Sequence, residues 1–190
     1  MSARTREERL AARINQLSYL RVAIVLLVMA LLLNAQRVSH AFAAAAAIFA
    51  LAAATDFLDG FLARRLQVTT TLGAFLDTTA DKLLVTGALI ALVAVGRTSA
   101  WAALIIVGRE LAILGLRAVA AAAGTIVTAS LWGKLKANVQ FLAILLAIIR
   151  FPVRLGWWYL DEWVMLVAVI VTVLSAVEYF RRLAPVLGRG

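Results

Sequence analysis

The sequence predicts an all-α, polytopic membrane protein with six transmembrane helices preceded by a short interfacial amphipathic helix. Hydrophobic residues make up 64% of the 190 residues, well above the roughly 45–50% that is usual for globular domains. Long apolar runs alternate with short polar connections along the whole chain. Because a span needs about 20 residues, the length accommodates about six spans and leaves no room for a second domain. We therefore expect residues 1–190 to form a single membrane domain.

The first sixteen residues differ from the rest of the chain because they are polar and rich in arginine. Leu10, Ile14 and Leu17 nevertheless fall on one helical stripe. This pattern predicts a juxtamembrane amphipathic segment over residues 1–16 that lies in the membrane interface, with a basic tail as the alternative. A cleaved signal peptide is disfavoured, because acidic residues accompany the arginines and Arg21 interrupts the start of the apolar run.

Six apolar runs follow, separated by polar connections or by residues that end helices. Pro152 separates the last two runs, since proline cannot continue a helix. Several tryptophan and tyrosine residues around position 158 resemble the aromatic belt that marks a membrane–water interface. The predicted spans are about Leu17–Leu33, Ala41–Leu62, Leu72–Val95, Ala100–Ala123, Gly133–Ile149 and Trp163–Tyr179.

The charge of the chain is strongly basic, with a formal net charge of +9 and no cysteine. The missing cysteine excludes disulfides and thiolate metal sites. With six spans, one side of the membrane receives Arg4, Arg6, Arg9, Arg13, Arg64, Arg65, Lys134, Lys136, Arg181, Arg182 and Arg189. The other side receives only Arg37, Arg97, Arg150 and Arg154. This asymmetry indicates a topology signal with both termini in the cytoplasm, and not a nucleic-acid partner.

Acidic residues cluster at one place, where the second and third spans meet their connection. Two series of positions each follow one face of a helix. They are Asp56, Asp59, Gly60, Ala63 and Arg64 in the second span, and Gly73, Asp77 and Asp81 in the third. Four carboxylates in apolar surroundings repel one another unless cations compensate them. Carboxylate oxygens are hard ligands that suit Mg²⁺ or Mn²⁺, so the pattern predicts a two-metal site for phosphoryl-type chemistry.

The two glycines of this motif, Gly60 and Gly73, remove side chains from the same helix faces. A ligand or a neighbouring backbone can therefore approach closely there. The complete pattern, D-x-x-D-G-x-x-A-R followed by G-x-x-x-D-x-x-x-D, resembles the signature of the CDP-alcohol phosphatidyltransferase family at every defined position. The segments N-x-L-S-x-x-R, R-E-x-x-x-x-x-L-R and G-K-x-K-x-x-x-Q are similar to the bacterial phosphatidylglycerophosphate synthase branch of that family.

The resemblance implies an enzyme that transfers a phosphatidyl group from CDP-diacylglycerol to sn-glycerol 3-phosphate and releases CMP. It implies that Asp56, Asp59, Asp77 and Asp81 hold the metals, and that Asp81 also takes the proton of the acceptor hydroxyl. A carboxylate beside the metals is a reasonable base on chemical grounds as well. The positions expected to bind CDP-diacylglycerol are Asn15, Ser18, Arg21, Gly60, Ala63, Arg64, Thr70 and Gly73.

Further cations lie inside or beside the fourth and fifth spans: Arg109, Arg117, Lys134 and Lys136. Buried arginines with too few acidic partners favour an anionic ligand, and the guanidinium fork suits phosphate. We predict that these four bind the phosphate of the acceptor, with Arg109 and Lys134 slightly ahead. Two other interpretations stay open: Glu110 and Arg117, seven residues apart, form an ion pair, and the lysines serve only as topology signals.

The acceptor is the main open question at this stage. A sister enzyme of the same family, such as a phosphatidylinositol phosphate synthase or a CDP-alcohol-type cardiolipin synthase, is an alternative with the same motif. A cation transporter is a remote alternative. Transporters typically show repeat symmetry with broken helices at the midplane, whereas the motif aspartates of this chain form one cluster near one surface. The resemblance further implies a homodimer in the bacterial inner membrane, with the active site on the cytoplasmic side.

Overall fold

The computed structural model confirms the all-α class. It describes residues 20–66, 71–122, 124 and 131–187, without the side chains of 56–66, 71–77, 131, 134 and 185–187. The predicted amphipathic segment at residues 1–16 lies outside the described residues. The chain divides into two compact units, Met1–Val95 and Gly96–Gly190.

Each unit contributes three helices to the described part of the chain. The first unit holds α1 (Leu20–Leu33), α2 (Ala41–Leu66) and α3 (Thr71–Ala94). The second holds α4 (Ala100–Ala122), α5 (Leu131–Ile149), the two-residue strands β1 (Arg154–Leu155) and β2 (Trp158–Tyr159), and α6 (Leu160–Leu187).

In the first unit, α1 and α3 pack closely at Gly87. A methyl group in place of the Gly87 hydrogen would lie 2.7 Å from Val25 Cγ1 and 3.0 Å from Met29 Sδ. These separations are shorter than van der Waals contact, so glycine permits this approach of the two helices. Buried Val28 and Leu84 belong to the apolar core of this unit.

In the second unit, α6 packs against both α4 and α5. One apolar cluster joins Ile113 and Ala120 of α4 to Tyr179 and Leu183 of α6. Helix α6 is therefore the central element of this unit, although the sequence singled out no functional residue on it.

Helix α6 begins at Leu160 and not at the predicted Trp163. The start is fixed by Glu162 in the first turn, whose Oε2 accepts a hydrogen bond from the Tyr159 backbone N–H at 2.8 Å. This contact is the side-chain half of a capping box, and an acidic first turn also complements the helix dipole.

A short antiparallel hairpin precedes α6, in a region that the sequence analysis treated only as a connection. Arg154 pairs with Tyr159, and Leu155 pairs with Trp158. Gly156 begins the two-residue turn with φ of 69°, a left-handed conformation that favours glycine. The Tyr159 hydroxyl accepts a hydrogen bond from Arg154 Nη2 at 2.8 Å, and this contact raises the pKa of Arg154.

The described helices differ in length and apolar character. Among the described residues, Leu160–Ala184 is the one helical stretch long and apolar enough to cross a membrane by length and composition. Shorter apolar helices cover Leu20–Leu33, Ala41–Thr55 and Leu135–Ile149. Six spans therefore stay a prediction.

Candidate active site

The motif aspartates lie on two helices of the first unit. Asp56 and Asp59 belong to α2, and Asp77 and Asp81 belong to α3. The helical spacing on which the prediction depends is therefore present in the backbone. Of the four side chains only that of Asp81 is described, and it is half-buried.

The remaining positions of the motif are described only in part. Gly60, Ala63 and Arg64 lie in α2 and Gly73 lies in α3, whereas Thr70, Asn15 and Ser18 fall outside the described residues. Within the described side chains, no group of three or more His, Cys, Asp or Glu could hold a metal ion. The side chains of Asp56, Asp59 and Asp77 are not among those described. Metal binding by the four motif aspartates therefore stays a prediction.

Arg21 is the one predicted lipid-binding residue whose side chain is described. It is buried and lines a cavity of about 280 Å³ between α1 and α2, together with Ile24, Ile48 and Thr55. Thr55 directly precedes the first motif aspartate in the sequence. This cavity therefore combines the buried Arg21 with an apolar lining that reaches the residue before the motif.

A second group of polar side chains lies in the second unit, between α4, α5 and α6. We call it the α4–α6 polar cluster. It contains Arg109, Glu110, Arg117, Lys136, Gln140, Thr172, Ser175 and Tyr179. Three of its members were predicted to bind the acceptor phosphate. The side chain of the fourth predicted cation, Lys134, is not described, although its backbone lies in the first turn of α5.

Glu110 is the acidic centre of this cluster. Its Oε1 accepts a hydrogen bond from the Lys136 ammonium and another, at 3.3 Å, from Arg109 Nη1. Glu110 and Lys136 are 7% and 6% exposed to solvent, so this ion pair is buried. The pairing of Glu110 with Arg117 that the sequence allowed is not formed. Glu110 points to α5 because the ammonium of Lys136 lies there.

Arg109 is held from two sides. Besides its bond to Glu110, its Nη2 donates a hydrogen bond to Ser175 Oγ of α6 at 2.7 Å. Its Nε is buried and has no hydrogen-bond partner among the described residues. Each terminal nitrogen of Arg109 therefore donates one hydrogen bond within the protein.

Arg117 is held differently, by one nitrogen only. Its Nε donates a hydrogen bond to the Tyr179 hydroxyl at 2.8 Å, and its Cζ lies 5.7 Å from the centre of the tyrosine ring. Arg117 is exposed, whereas Tyr179 is buried. Within the described side chains, the cluster contains three cations and one carboxylate.

The sequence analysis missed the contribution of α6. Thr172, Ser175 and Tyr179 are buried in a helix that is otherwise apolar. Thr172 accepts a hydrogen bond from Gln140 Nε2 at 3.1 Å. A usable signal was present, since these hydroxyl residues follow the spacing i, i+3, i+7 on one helix face. It was overlooked because none of the three belongs to a charged motif.

Comparisons with known proteins agree with the motif. The profile of the CDP-alcohol phosphatidyltransferase family matches residues 13–174, which include all four motif aspartates. A CDP-diacylglycerol–glycerol-3-phosphate 3-phosphatidyltransferase of Bacillus subtilis is 41% identical over 140 residues, covering 73% of this chain and 72% of the relative. A protein of the same name from Pseudomonas fluorescens is 38% identical over 148 residues, with 75% of each chain covered.

A third relative covers more of the chain. A probable phosphatidylglycerophosphate synthase of Mycobacterium tuberculosis is 38% identical over 175 residues, which are 92% of this chain and 82% of the relative. The resemblance inferred from the motif is thereby confirmed. This chain belongs to the CDP-alcohol phosphatidyltransferase family.

Proposed function

We propose that this protein transfers the phosphatidyl group of CDP-diacylglycerol to sn-glycerol 3-phosphate and releases CMP and phosphatidylglycerophosphate. The observation that carries this proposal is the similarity, at 38–41% identity, to relatives named for that reaction. The α4–α6 polar cluster supports it independently. Its guanidinium and ammonium groups suit an acceptor that carries a phosphate, because they donate charge-assisted hydrogen bonds to phosphate oxygens.

The donor set of the motif fits a divalent metal pair. Asp56, Asp59, Asp77 and Asp81 offer carboxylate oxygens, which are the ligands that Mg²⁺ and Mn²⁺ prefer. When bound, such ions neutralise charge on the pyrophosphate and on the departing CMP. The role of the aspartates would be to hold the ions, because carboxylates alone would repel the anionic pyrophosphate.

Asp81 is the proposed general base. As the glycerol 3-phosphate hydroxyl attacks the phosphorus, the Asp81 carboxylate would accept the hydroxyl proton, and the bond between phosphorus and the CMP oxygen would break. The half-buried position of Asp81 supports this role, because a base must be reachable by substrate and yet shielded enough to transfer a proton efficiently.

The lipid substrate would be bound by residues of the first unit. The cytidine diphosphate would contact Gly60, Ala63, Arg64, Thr70 and Gly73, and Asn15, Ser18 and Arg21 would also bind the lipid substrate. The buried Arg21 beside an apolar cavity supports this assignment. In a phospholipid the charged headgroup adjoins the acyl chains, so a cation beside an apolar surface matches both parts of the ligand.

The proposed setting is the bacterial inner membrane, with six spans, both termini and the active site on the cytoplasmic side. Large apolar side chains are exposed on every described helix, among them Leu26, Leu51, Leu104 and Leu142. Such extensive apolar exposure is unusual for a soluble monomer and normal for helices that face lipid. A homodimer of this single membrane domain is part of the proposal.

The test is CMP release by the purified protein with CDP-diacylglycerol and Mg²⁺ or Mn²⁺. Acceptors are supplied one at a time: glycerol 3-phosphate, inositol phosphate, phosphatidylglycerol and serine. We expect release with glycerol 3-phosphate. Release with only another acceptor would establish a sister enzyme, and metal-dependent cation flux without CMP release would establish the transporter alternative.

A further inference from the structure

Helix α6 presents a buried polar stripe whose members each hold a side chain of another helix. Thr172 binds Gln140 of α5, Ser175 binds Arg109 of α4, and Tyr179 binds Arg117 of α4. A hydroxyl buried in apolar surroundings is unfavourable unless it is hydrogen-bonded. All three are satisfied by polar residues of the α4–α6 polar cluster, so the stripe and the cluster form one network.

The two arginines of this network differ in the nitrogens that remain available. Arg109 uses both terminal nitrogens, one on Glu110 and one on Ser175. Arg117 uses Nε alone, and among the described residues no protein group is bonded to its Nη1 or Nη2. Arg117 is also the exposed member of the pair. Arg117 is therefore more accessible than Arg109 to an anion from outside the protein, and its two terminal nitrogens are available to bind that anion.

The single bond to Tyr179 determines which edge of the Arg117 guanidinium is presented. A guanidinium binds a phosphate most strongly through two parallel N–H donors. With Nε–H directed at the tyrosine hydroxyl, the Nη1–Nη2 edge keeps two donors side by side. The tyrosine ring, 5.7 Å from Cζ, adds a cation–π contact that restrains the same group.

We propose that Tyr179 is a positioning residue that holds Arg117 for the phosphate of the acceptor, and that Arg117 makes the direct contact. Arg109 then stabilises the cluster together with Glu110, Lys136 and Ser175. This inference rests on the proposed function and extends it to a residue beyond the part of the chain, residues 13–174, that the family profile matches.

The test is the Tyr179→Phe variant, which removes the hydroxyl and keeps the ring. We expect the KM for glycerol 3-phosphate to rise about fivefold, the factor expected for loss of one orienting hydrogen bond. The KM for CDP-diacylglycerol, kcat and the unfolding temperature should stay unchanged. Tyr159→Phe is the matched control, since the Tyr159 hydroxyl also accepts an arginine hydrogen bond at 2.8 Å, from Arg154. It should leave both KM values unchanged.

A double-mutant comparison separates positioning through Arg117 from a general structural role. Arg117→Lys should raise the acceptor KM by itself, and Tyr179→Phe should add almost nothing in that background, because the residue through which it acts is gone. Ser175→Ala tests the alternative that Arg109 binds the phosphate, because Ser175 accepts a hydrogen bond from Arg109. A larger effect of Ser175→Ala on the acceptor KM would mean that Arg109, and not Arg117, binds the phosphate.

Besides that outcome of Ser175→Ala, three results would overturn the proposal. The first is an unchanged acceptor KM in Tyr179→Phe while the wild-type protein uses glycerol 3-phosphate. The second is an equal rise of both KM values. The third is a joint loss of kcat and unfolding temperature, which would make the hydroxyl a purely structural group. A wild-type protein without glycerol 3-phosphate-dependent CMP release would instead refute the proposed function, before any variant is compared.

Discussion

Replacing Glu110 by glutamine should destabilise the second unit strongly. Glu110 is the buried carboxylate that contacts both Lys136 and Arg109. Glutamine has nearly the same shape but no charge, so it would remove the carboxylate charge that Lys136 and Arg109 contact in this buried cluster. Removing one partner of a buried ion pair typically costs about 3–5 kcal/mol. Because the amide oxygen still accepts a hydrogen bond, we expect a loss near the lower limit, about 3 kcal/mol.

The assay is thermal unfolding of the purified protein in detergent micelles. For a chain of this length, about 3 kcal/mol corresponds to a fall in Tm of roughly 6–12 °C. Glu178→Gln is the matched control. Glu178 pairs with Arg182 at 2.6 Å, but Arg182 is largely exposed, so this change should lower the unfolding free energy by less than about 1 kcal/mol.

A second substitution tests the electrostatic cause. Lys136→Met removes one of the two buried cations that Glu110 contacts, so it should recover part of the stability lost in Glu110→Gln, although alone it is destabilising. The two changes should therefore be coupled by at least about 1 kcal/mol. A Tm of Glu110→Gln within about 2 °C of the wild-type value, or additive effects in the double variant, would refute this reasoning.

Three further predictions concern the first unit. Asp77→Asn should abolish CMP release without changing the helical circular dichroism signal, because a carboxamide is a poor ligand for a hard cation; retained turnover would exclude a metal role. Asp81→Asn should lower kcat at least about 100-fold while CDP-diacylglycerol binding, measured by calorimetry, changes less; an equal loss of both would exclude the base. Gly87→Val should lower the unfolding free energy by about 1–3 kcal/mol in a denaturant titration, since the added methyl groups collide with Val25 and Met29; an unchanged midpoint would contradict the close packing of α1 and α3.

The helices and the motif could be predicted because both depend on local spacing. Apolar runs of span length and aspartates at i, i+3 and i, i+4 are visible in the chain, and α2 and α3 contain them as expected. The start of α6 was misplaced by three residues. The sequence signal for the true start was the acidic pair Asp161–Glu162, which is typical of a first helical turn.

The partners inside the α4–α6 polar cluster could not be predicted, because they depend on tertiary packing. Spacing along α4 allowed Glu110 to pair with Arg117, but the ammonium of Lys136 on α5 lies closer. The sequence analysis placed Arg109 slightly ahead of Arg117 as a ligand of the acceptor phosphate. Packing of α6 against α4 separates them, since Ser175 takes a terminal nitrogen of Arg109 and Tyr179 takes only Nε of Arg117.

The most direct test of the proposed reaction is to follow the acceptor into the lipid product. Purified protein is supplied with CDP-diacylglycerol, Mg²⁺ and deuterated glycerol 3-phosphate, and the chloroform-soluble products are analysed by mass spectrometry. We predict a lipid that contains the complete labelled acceptor with its own phosphate, formed in equal amount to CMP and absent with Asp77→Asn. Folded protein that forms no labelled lipid under these conditions would contradict the proposed function.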